Sequence, residues 1–216
     1  MKMKVISGKT LKDLNDSEIK RILGAYRKVE IDLGTGDGRY VYKNANENIE
    51  TLFIGVEPIQ KQVENYSRKS QKEKLSNAMF VLGSIEYFPE ELIGTADKLT
   101  VILPWGSLLQ SITNPNYEKT PLISTILKSG GICEIVLGYS QEHEPTETER
   151  LDLQNLSEEY LKSAVIPIFE KNKLHLTEIK SLNKNDLKLI ETTWSKKLSY
   201  GKDRPLYLLK FKKMLN

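Results

Sequence analysis

A glycine-rich turn, Asp32-Leu33-Gly34-Thr35-Gly36-Asp37-Gly38, follows a short apolar stretch and precedes a helical pattern. Glycine adopts backbone angles closed to other residues, so such a turn lets the main chain approach a ligand closely before the helix begins. The spacing is Gly-x-Gly-x-Gly rather than the Gly-x-Gly-x-x-Gly of the dinucleotide fingerprint, and an acid stands two residues before the first glycine. Asp32 and Asp37 would repel a pyrophosphate. They favour a ligand with a cationic amino-acid end, which S-adenosylmethionine presents.

Two later segments carry residues suited to the rest of a nucleoside ligand. Glu57 closes the next apolar run, where a carboxylate can accept both hydroxyls of a ribose. An acid that caps a helix starting at Pro58 would explain the same residue equally well. Gly83-Ser84-Ile85-Glu86 follows the third run, where the adenine ring of the same ligand would lie and Ile85 can pack on it.

The chain has two tryptophans in different surroundings. Trp105 lies in Pro104-Trp105-Gly106-Ser107 at the end of the fourth apolar run, and Trp194 lies in a lysine-rich segment near the end of the chain. A tryptophan at a strand end is either a core residue turned inward or a stacking platform for a planar substrate. Together, the two side chains can clamp a nucleobase.

The elements that must position these residues are short apolar runs rich in branched side chains, which read as buried strands. The first four are separated by stretches long enough for helical crossovers, which predicts a parallel sheet with helices on both faces. Three more candidates follow, the last two antiparallel. The seven predicted strands are Val29–Leu33, Thr51–Val56, Ala78–Leu82, Leu99–Leu103, Ile132–Leu137, Leu174–Ile179 and Leu206–Phe211.

We expect one domain over residues 1–216, with an N-terminal extension at about 1–26 and insertions before the sixth and seventh strands at about 138–173 and 183–204. The first insertion exceeds an ordinary connection plus a helix. Ser157 is expected to cap a helix that runs to Lys171, and Asn185-Asp186 to cap one that ends near Gly201.

Composition excludes several other classes. The 216 residues contain one cysteine and two histidines, too few for a disulfide framework or a cysteine/histidine zinc site, so we expect no metal. No apolar run approaches the roughly 18 residues of a membrane helix, and the start of the chain lacks a secretory signal. The sequence predicts a soluble, cytoplasmic protein without a membrane partner.

Charge is distributed unevenly along the chain. The net charge is only +3, but from Ser195 to the end seven basic residues stand against the single acid Asp203. A second basic run lies between Lys61 and Lys74, whereas Glu134–Glu159 contains eight acids and only Arg150. The surface should therefore be polarised, although a solvated helix face would explain either basic run.

These motifs resemble the aminoglycoside-resistance methyltransferases of the Kam/Npm family, which modify N1 of the decoding-site adenine 1408 of 16S ribosomal RNA. The resemblance extends over the whole chain. It is carried by Asp32–Arg39, Gly55–Pro58, Leu103–Leu109 and Trp194–Leu198, with Gly201 and Arg204 downstream. The Pro-Trp-Gly motif and the late tryptophan are the parts specific to this family.

The resemblance implies a Rossmann-like class I methyltransferase that uses S-adenosylmethionine and acts on the 30S subunit, at helix 44, as a monomer. It implies that Trp105 and Trp194 sandwich the flipped adenine. It places in the cofactor pocket Asp32, Gly34, Thr35, Gly36, Gly38, Glu57, Pro58, Ile85, Glu86, Ile102, Pro104, Ser107 and Thr192. It places on or near the rRNA-contacting positions Arg68, Lys69, Lys72, Arg150, Lys197, Lys202 and Arg204.

Some positions depart from the family pattern. Glu57 stands where an aspartate is common, Lys197 and Lys202 replace arginines, Glu73 and Asp203 occupy positions where lysines occur, and the segment after Lys72 is shorter. These departures concern individual rRNA contacts more than the reaction.

Three other functions share part of this pattern. A tRNA guanine-N7 methyltransferase has a similar fold, but the paired tryptophans argue against it. An NAD-dependent dehydrogenase would use the same strand, turn and ribose acid, but the glycine spacing and Asp32 disfavour it. A ribosome-binding protein with a vestigial pocket would have no reason to retain the glycines, Asp32 and Glu57 together.

Overall fold

The computed structural model describes residues 2–114, 120–190 and 192–215. Its strands are β1 (Met3–Ser7), β2 (Thr10–Leu14), β3 (Lys28–Leu33), β4 (Thr51–Glu57), β5 (Ala78–Leu82), β6 (Ala96–Ile102), β7 (Leu127–Leu137), β8 (Leu174–Ser181) and β9 (Tyr207–Lys213). They form one sheet in the order β2-β1-β5-β4-β3-β6-β7-β9-β8. Strands β5, β4, β3, β6 and β7 are parallel, and β9 runs antiparallel to both β7 and β8.

The helices are α1 (Asp16–Gly24), α2 (Arg39–Glu47), α3 (Gln60–Lys72), α4 (Gly106–Thr113), α5 (Thr120–Ile126), α6 (Pro145–Arg150), α7 (Glu158–Tyr160), α8 (Ile166–Lys171), α9 (Lys184–Lys188) and α10 (Thr193–Ser199). A π-helical segment, Leu161–Val165, joins α7 to α8, and a 3₁₀ turn spans Glu90–Leu92. None of the described helices is long and apolar enough to cross a membrane.

The prediction of seven strands is wrong, because the sheet has nine. The N-terminal extension adds a hairpin, β1–β2, whose first strand pairs antiparallel with β5. Met3 and Ile6 are buried, whereas β2 is mostly exposed. Ser67 of α3 fixes the hairpin, since its hydroxyl accepts from the Gly8 N–H at 2.8 Å and donates to the Ile6 carbonyl at 2.9 Å.

Alternate residues of the central strands pack on opposite faces, as a sheet covered on both sides requires. Ile54 of β4 belongs to the large core formed with α1, α4, α5 and α8. Its neighbour Phe53 packs with Val41 of α2 and Val63 of α3. A third cluster, around Leu187 and Leu198, holds α9 and α10 against the ends of β6 and β7.

The two insertions differ in how well their helices were predicted. The Ser157 hydroxyl accepts from the Tyr160 N–H at 3.0 Å, and helical backbone continues from there to Lys171, as expected. The late insertion instead forms two short helices. Asn183 caps α9 and Thr192 caps α10, so a single helix ending near Gly201 is a wrong expectation.

Candidate active site

The carboxyl ends of β3, β4, β5 and β6 meet at one sheet edge and border a cavity of about 630 Å³. Open parallel sheets hold ligands at this edge. Twelve of the thirteen residues predicted to contact a cofactor line the cavity: Asp32, Gly34, Thr35, Gly36, Glu57, Pro58, Ile85, Glu86, Ile102, Pro104, Ser107 and Thr192.

Gly38, the thirteenth, is not among the lining residues. It has a left-handed φ of 80° and is the N-cap of α2, with the Phe80 ring where a Cβ would stand. Its glycine identity therefore follows from the turn and its packing. Gly34 lines the cavity with a φ of 75°, and a Cβ there would lie 2.7 Å from the Leu108 side chain.

Asp32 is a buried acid, so its ionised form is destabilised by the loss of contact with water. It is 3% exposed, and its Oδ1 accepts a hydrogen bond from the Thr100 hydroxyl at 2.9 Å. Burial raises the pKa of Asp32 to about 6, against the opposing effect of its hydrogen bonds. A buried carboxylate beside a cavity is suited to a cationic ligand group, which would restore the lost solvation.

Glu57 joins the end of β4 to the glycine-rich turn. One carboxylate oxygen accepts from the Gly36 N–H at 3.0 Å, and the other accepts from the Ile59 N–H at 3.2 Å. Burial raises the pKa of Glu57, and these two hydrogen bonds oppose the shift. Each carboxylate oxygen has a second lone pair, so the side chain can still accept hydroxyl donors from the cavity.

Trp105 and Trp194 both line the cavity, with ring centroids 6.2 Å apart and planes inclined at 49°. Trp105 is half-buried and packs against the main core, whereas Trp194 is 43% exposed at the start of α10. The Lys197 Nζ lies 4.9 Å from the Trp194 ring. The loop before Trp105 is strained, because Leu103 has a φ of 50° although a proline follows it.

Asp37 is also expected to face a cationic ligand; it lines the cavity, and this role stays a prediction. Its Oδ1 accepts from the Arg39 N–H at 3.1 Å, and its Oδ2 accepts from the Thr193 hydroxyl at 2.5 Å. Both oxygens are thus engaged within the protein, although Asp37 and Thr193 line the cavity. Asp32 therefore has the more suitable environment.

Among the polar lining residues, Thr193 and Gln62 were not identified from the sequence. Gln62 lies in the first turn of α3, five residues after Glu57, so the position of the ribose acid offered a signal. Thr193 lies between Thr192 and Trp194, both expected at the site, so its neighbours offered a signal. Its hydrogen bond to Asp37, 156 residues away in sequence, had no such signal.

The predicted basic residues fall into two groups. Arg68, Lys69 and Lys72 lie exposed on α3, and Lys197 and Lys202 lie exposed in the late insertion. These five are available to a phosphate backbone.

Arg150 and Arg204 are ion-paired instead. The Arg150 guanidinium lies 2.7 Å from Glu147, and both side chains are exposed. The Arg204 side chain is only 8% exposed and lies 2.5 Å from Glu144, so it ties the segment before β9 to the first insertion. Their predicted contacts with rRNA stay predictions, and the structure gives each charge a partner.

The residues at this edge fit S-adenosylmethionine. The glycines leave room for close approach, Asp32 is suited to the amino-acid end, and Glu57 has acceptor capacity for ribose hydroxyls. With the largely parallel sheet and its flanking helices, they define the class as an α/β methyltransferase of the Rossmann-like type.

Comparison with known proteins then gives the family. The chain belongs to the NpmA family of 16S rRNA (adenine(1408)-N(1))-methyltransferases, whose family model matches residues 4–213.

Individual relatives agree with this assignment. A 16S rRNA (adenine(1408)-N(1))-methyltransferase of Escherichia coli is 31% identical over 210 residues, 95% of this chain and 96% of that protein. The crystal structure of a 30S ribosomal A1408 methyltransferase from an uncultured bacterium is 72% identical, with a TM-score of 0.79 over 98% of this chain and 100% of that one. A mutant of the enzyme from Catenulisporales acidiphilia, solved with cosubstrate SAM, is 26% identical, with a TM-score of 0.86 over 98% and 97%.

The chain is therefore a 16S rRNA adenine-N1 methyltransferase, and S-adenosylmethionine is its methyl donor. Membership decides against the dehydrogenase, the tRNA guanine-N7 methyltransferase and the vestigial ribosome-binding protein.

Proposed function

We propose that adenine 1408 is flipped out of the 16S rRNA and stacks between Trp105 and Trp194, with N1 directed into the cavity. The observation that carries this proposal is the placement of two indoles 6.2 Å apart on the same cavity as Asp32 and Glu57. N1 lies on the Watson–Crick edge, so an enzyme acting there must extrude the base, at a cost of a few kcal/mol. Stacking on two aromatic faces offsets that cost.

The pocket residues then have separate roles. Asp32 binds the cationic amino-acid end of the cofactor, Glu57 binds its ribose hydroxyls, and Ile85 packs on its adenine ring. Ile85 is 2% exposed and lines the cavity, which supports the last role. When bound, S-adenosylmethionine supplies an electrophilic methyl group.

The reaction needs no general base, because N1 of neutral adenine carries a free lone pair and loses no proton. This agrees with a cavity whose lining contains no histidine or cysteine among the described residues. The adenine gains positive charge as the methyl group arrives. Two indole faces stabilise such a cation by about 1–2 kcal/mol when desolvated, and positioning supplies most of the remaining acceleration.

The docking surface combines α3 with the late insertion. Arg68, Lys69 and Lys72 on α3, with Lys197 and Lys202 beyond it, provide exposed cations for the phosphates around helix 44 of the 30S subunit. Few of these side chains read bases, so we infer recognition of pre-formed rRNA tertiary structure. We further propose that the chain acts in the cytoplasm, where its substrate is, as a monomer with one domain.

Resistance to aminoglycosides follows if methylation of the decoding site weakens drug binding, and one solved relative is named an aminoglycoside resistance methyltransferase. Primer extension tests the product, because N1-methyladenine blocks base pairing. Cells that express the chain should show a reverse-transcription stop at adenine 1408 and grow in aminoglycosides. Cells that express a Trp105→Ala, Trp194→Ala double variant should show neither. A stop elsewhere, or none with the wild-type chain, would refute the proposal.

A further inference from the structure

The late insertion is connected to the glycine-rich turn by one hydrogen bond between side chains. The Thr193 hydroxyl donates to Asp37 Oδ2 at 2.5 Å across 156 residues of sequence. Both residues line the cavity, and Thr193 directly precedes Trp194. The bond therefore joins the cofactor side of the cavity to the helix that carries one of the two indoles.

The hydrogen bond between Thr193 and Asp37 is not part of the N-terminal cap of α10. Thr192 and Ser195 already cap that helix, with the Ser195 N–H donating to the Thr192 hydroxyl at 2.9 Å. The Thr193 hydroxyl is thus free to reach across the cavity. If the Thr193 hydroxyl capped α10, it would bond to the backbone of that helix rather than to Asp37.

Asp37 offers a rigid attachment point. Gly36 and Gly38 on either side have left-handed backbone conformations, with φ values of 61° and 80°. The second oxygen of Asp37 accepts from the Arg39 N–H in the first turn of α2 at 3.1 Å. The carboxylate is therefore fixed to the turn and to α2 at once.

The spacing and orientation of the two indole rings must be controlled if a base is to stack between them. A base stacked between parallel rings at van der Waals distance requires the rings about 7 Å apart, whereas these centroids are 6.2 Å apart and inclined at 49°. Trp105 packs on the core, and Trp194 is 43% exposed. The exposed indole must therefore turn aside to admit the base, while the start of α10 stays at the cavity.

We propose that Asp37 and Thr193 are positioning residues whose hydrogen bond holds the start of α10 against the glycine-rich turn, so that Trp194 is presented opposite Trp105 when the base arrives. This inference rests on the proposed function of the two tryptophans. It assigns neither residue a contact with the reacting atoms.

Thr193→Val tests the inference, because valine keeps the shape of threonine and removes the hydroxyl. We expect the single-turnover rate of methyl transfer to 30S subunits to fall about tenfold, the effect of losing one charge-assisted hydrogen bond. Affinity for S-adenosylhomocysteine should change by less than about threefold, because neither Asp32 nor Glu57 is altered. Thr193→Ser, which retains the hydroxyl, should restore the rate.

Tryptophan fluorescence supplies a readout independent of catalysis, since Trp105 and Trp194 are the only tryptophans in the chain. Thr193→Val should increase acrylamide quenching, because Trp194 becomes less restrained. Thr177→Val is the matched control: it also removes a threonine hydroxyl bond, to the Lys210 carbonyl at 3.1 Å, but on β8. Its rate and quenching should equal those of the wild type.

Asp37→Ala completes a double-mutant cycle, because an alanine side chain, unlike that of asparagine, can neither accept nor donate a hydrogen bond at this position. Combined with Thr193→Val, it should cost no more than the worse single variant, because both changes break the same bond. Normal rate and quenching in Thr193→Val, or additive losses in the cycle, would overturn the positioning role while leaving the tryptophan clamp intact. A fully active Trp194→Ala variant would overturn the clamp, and this inference would fall with it.

Discussion

At the residue scale, Asp32 is a buried carboxylate for which the proposed cofactor binding and the stability of the fold make opposite demands. Its carboxylate is buried, and the pKa in the folded protein is raised from 3.8 to about 6. At neutral pH the folded chain must hold this charge out of water, whereas the unfolded chain does not. The position is therefore suited to a cationic ligand and is unfavourable without one.

We predict that Asp32→Asn raises the free energy of unfolding of the cofactor-free protein at pH 7.5 by about 1–3 kcal/mol. A pKa shift of roughly two units corresponds to a destabilisation of about 3 kcal/mol, and the neutral asparagine side chain removes part of it. The raised pKa means that the wild type loses stability as pH rises from about 4 to about 6. The difference between the two proteins should therefore disappear below about pH 4. Urea denaturation across this range measures it.

The same variant should bind S-adenosylmethionine more weakly at pH 7.5. Affinity of the wild type should fall as the pH drops through about 6, because protonation removes the charge that attracts the amino-acid end. Asp32→Asn should lack this pH dependence. Titration calorimetry compares them, and an affinity that falls equally with pH in both proteins would exclude Asp32 as the cause.

The two tryptophans should respond differently to substitution. Trp194 is exposed, so Trp194→Ala should change unfolding free energy by less than about 1 kcal/mol, whereas Trp105→Ala removes core packing and should cost about 1–3 kcal/mol. Each should reduce turnover by one to two decades, since stacking contributes about 1–3 kcal/mol per base. Thermal melts beside transfer assays measure both effects.

Phenylalanine provides the control at each of these sites, because it retains an aromatic face. It should recover part of the activity that alanine loses. A stable Trp194→Ala protein that confers full resistance would show that this indole is not part of a clamp.

At the scale of elements, α3 carries three of the exposed basic residues of the proposed docking surface. Lys69 lies 4.4 Å from the Tyr42 ring, and Arg68 packs along Gly8 of the N-terminal hairpin, so both stems are supported by the fold. The hairpin that sequence reasoning missed therefore helps to shape the predicted docking surface. Its two strands extend the sheet on the same side as α3.

We expect Arg68→Gln, Lys69→Gln and Lys72→Gln together to weaken binding to 30S subunits by at least tenfold while leaving S-adenosylhomocysteine affinity unchanged, because phosphate contacts are lost and the cavity is not touched. Filter binding measures this. Lys20→Gln, Arg21→Gln and Lys28→Gln remove equal charge from exposed positions near α1 and should have little effect. Equal losses in both triple variants would point to net charge rather than a docking helix.

The elements that sequence predicted well are those with an unambiguous pattern. Continuous branched apolar runs such as Thr51–Val56 identify buried parallel strands, and β4 is buried throughout. The hairpin was missed because Lys4, Lys12 and Asp13 interrupt its apolar residues, as is usual in an edge strand that faces water. The break between α9 and α10 was missed because it depends on the Thr192 cap and on tertiary packing around Leu187.

The candidate site was predictable to a similar extent. Local motifs pointed to Asp32, Glu57 and Ile85, because each lies at or just after a strand end. Other lining residues, such as Ile102 and Thr192, were expected only from the family resemblance. The engagement of Asp37 by Thr193 and the pairing of Arg204 with Glu144 join segments distant in sequence, so nothing local predicted them.

At the scale of the whole molecule, fewer of the basic residues after Ser195 are available to RNA than the net charge of that segment suggests. Among its seven basic residues, Lys210 lies 2.9 Å from Glu178 and 3.6 Å from Glu134, and Arg204 pairs with Glu144. The Lys213 ammonium donates to the Leu127 carbonyl at 2.7 Å. These three cations hold strands and insertions together, so the charge that reaches a partner comes from fewer residues.

Salt dependence separates these two uses of charge. Each phosphate contact releases counterions, so removal of one contacting lysine should lower the slope of log affinity against log salt by about 1. We predict that Lys202→Gln lowers the slope for 30S binding by about 1 and leaves the melting temperature unchanged, because this side chain is exposed. Lys210→Gln should do the reverse: an unchanged slope and a lower melting temperature, because Glu134 and Glu178 lose a shared partner. If Lys210→Gln reduced the slope as Lys202→Gln does, the last strands themselves would face the RNA, and the docking surface would have to extend across the sheet.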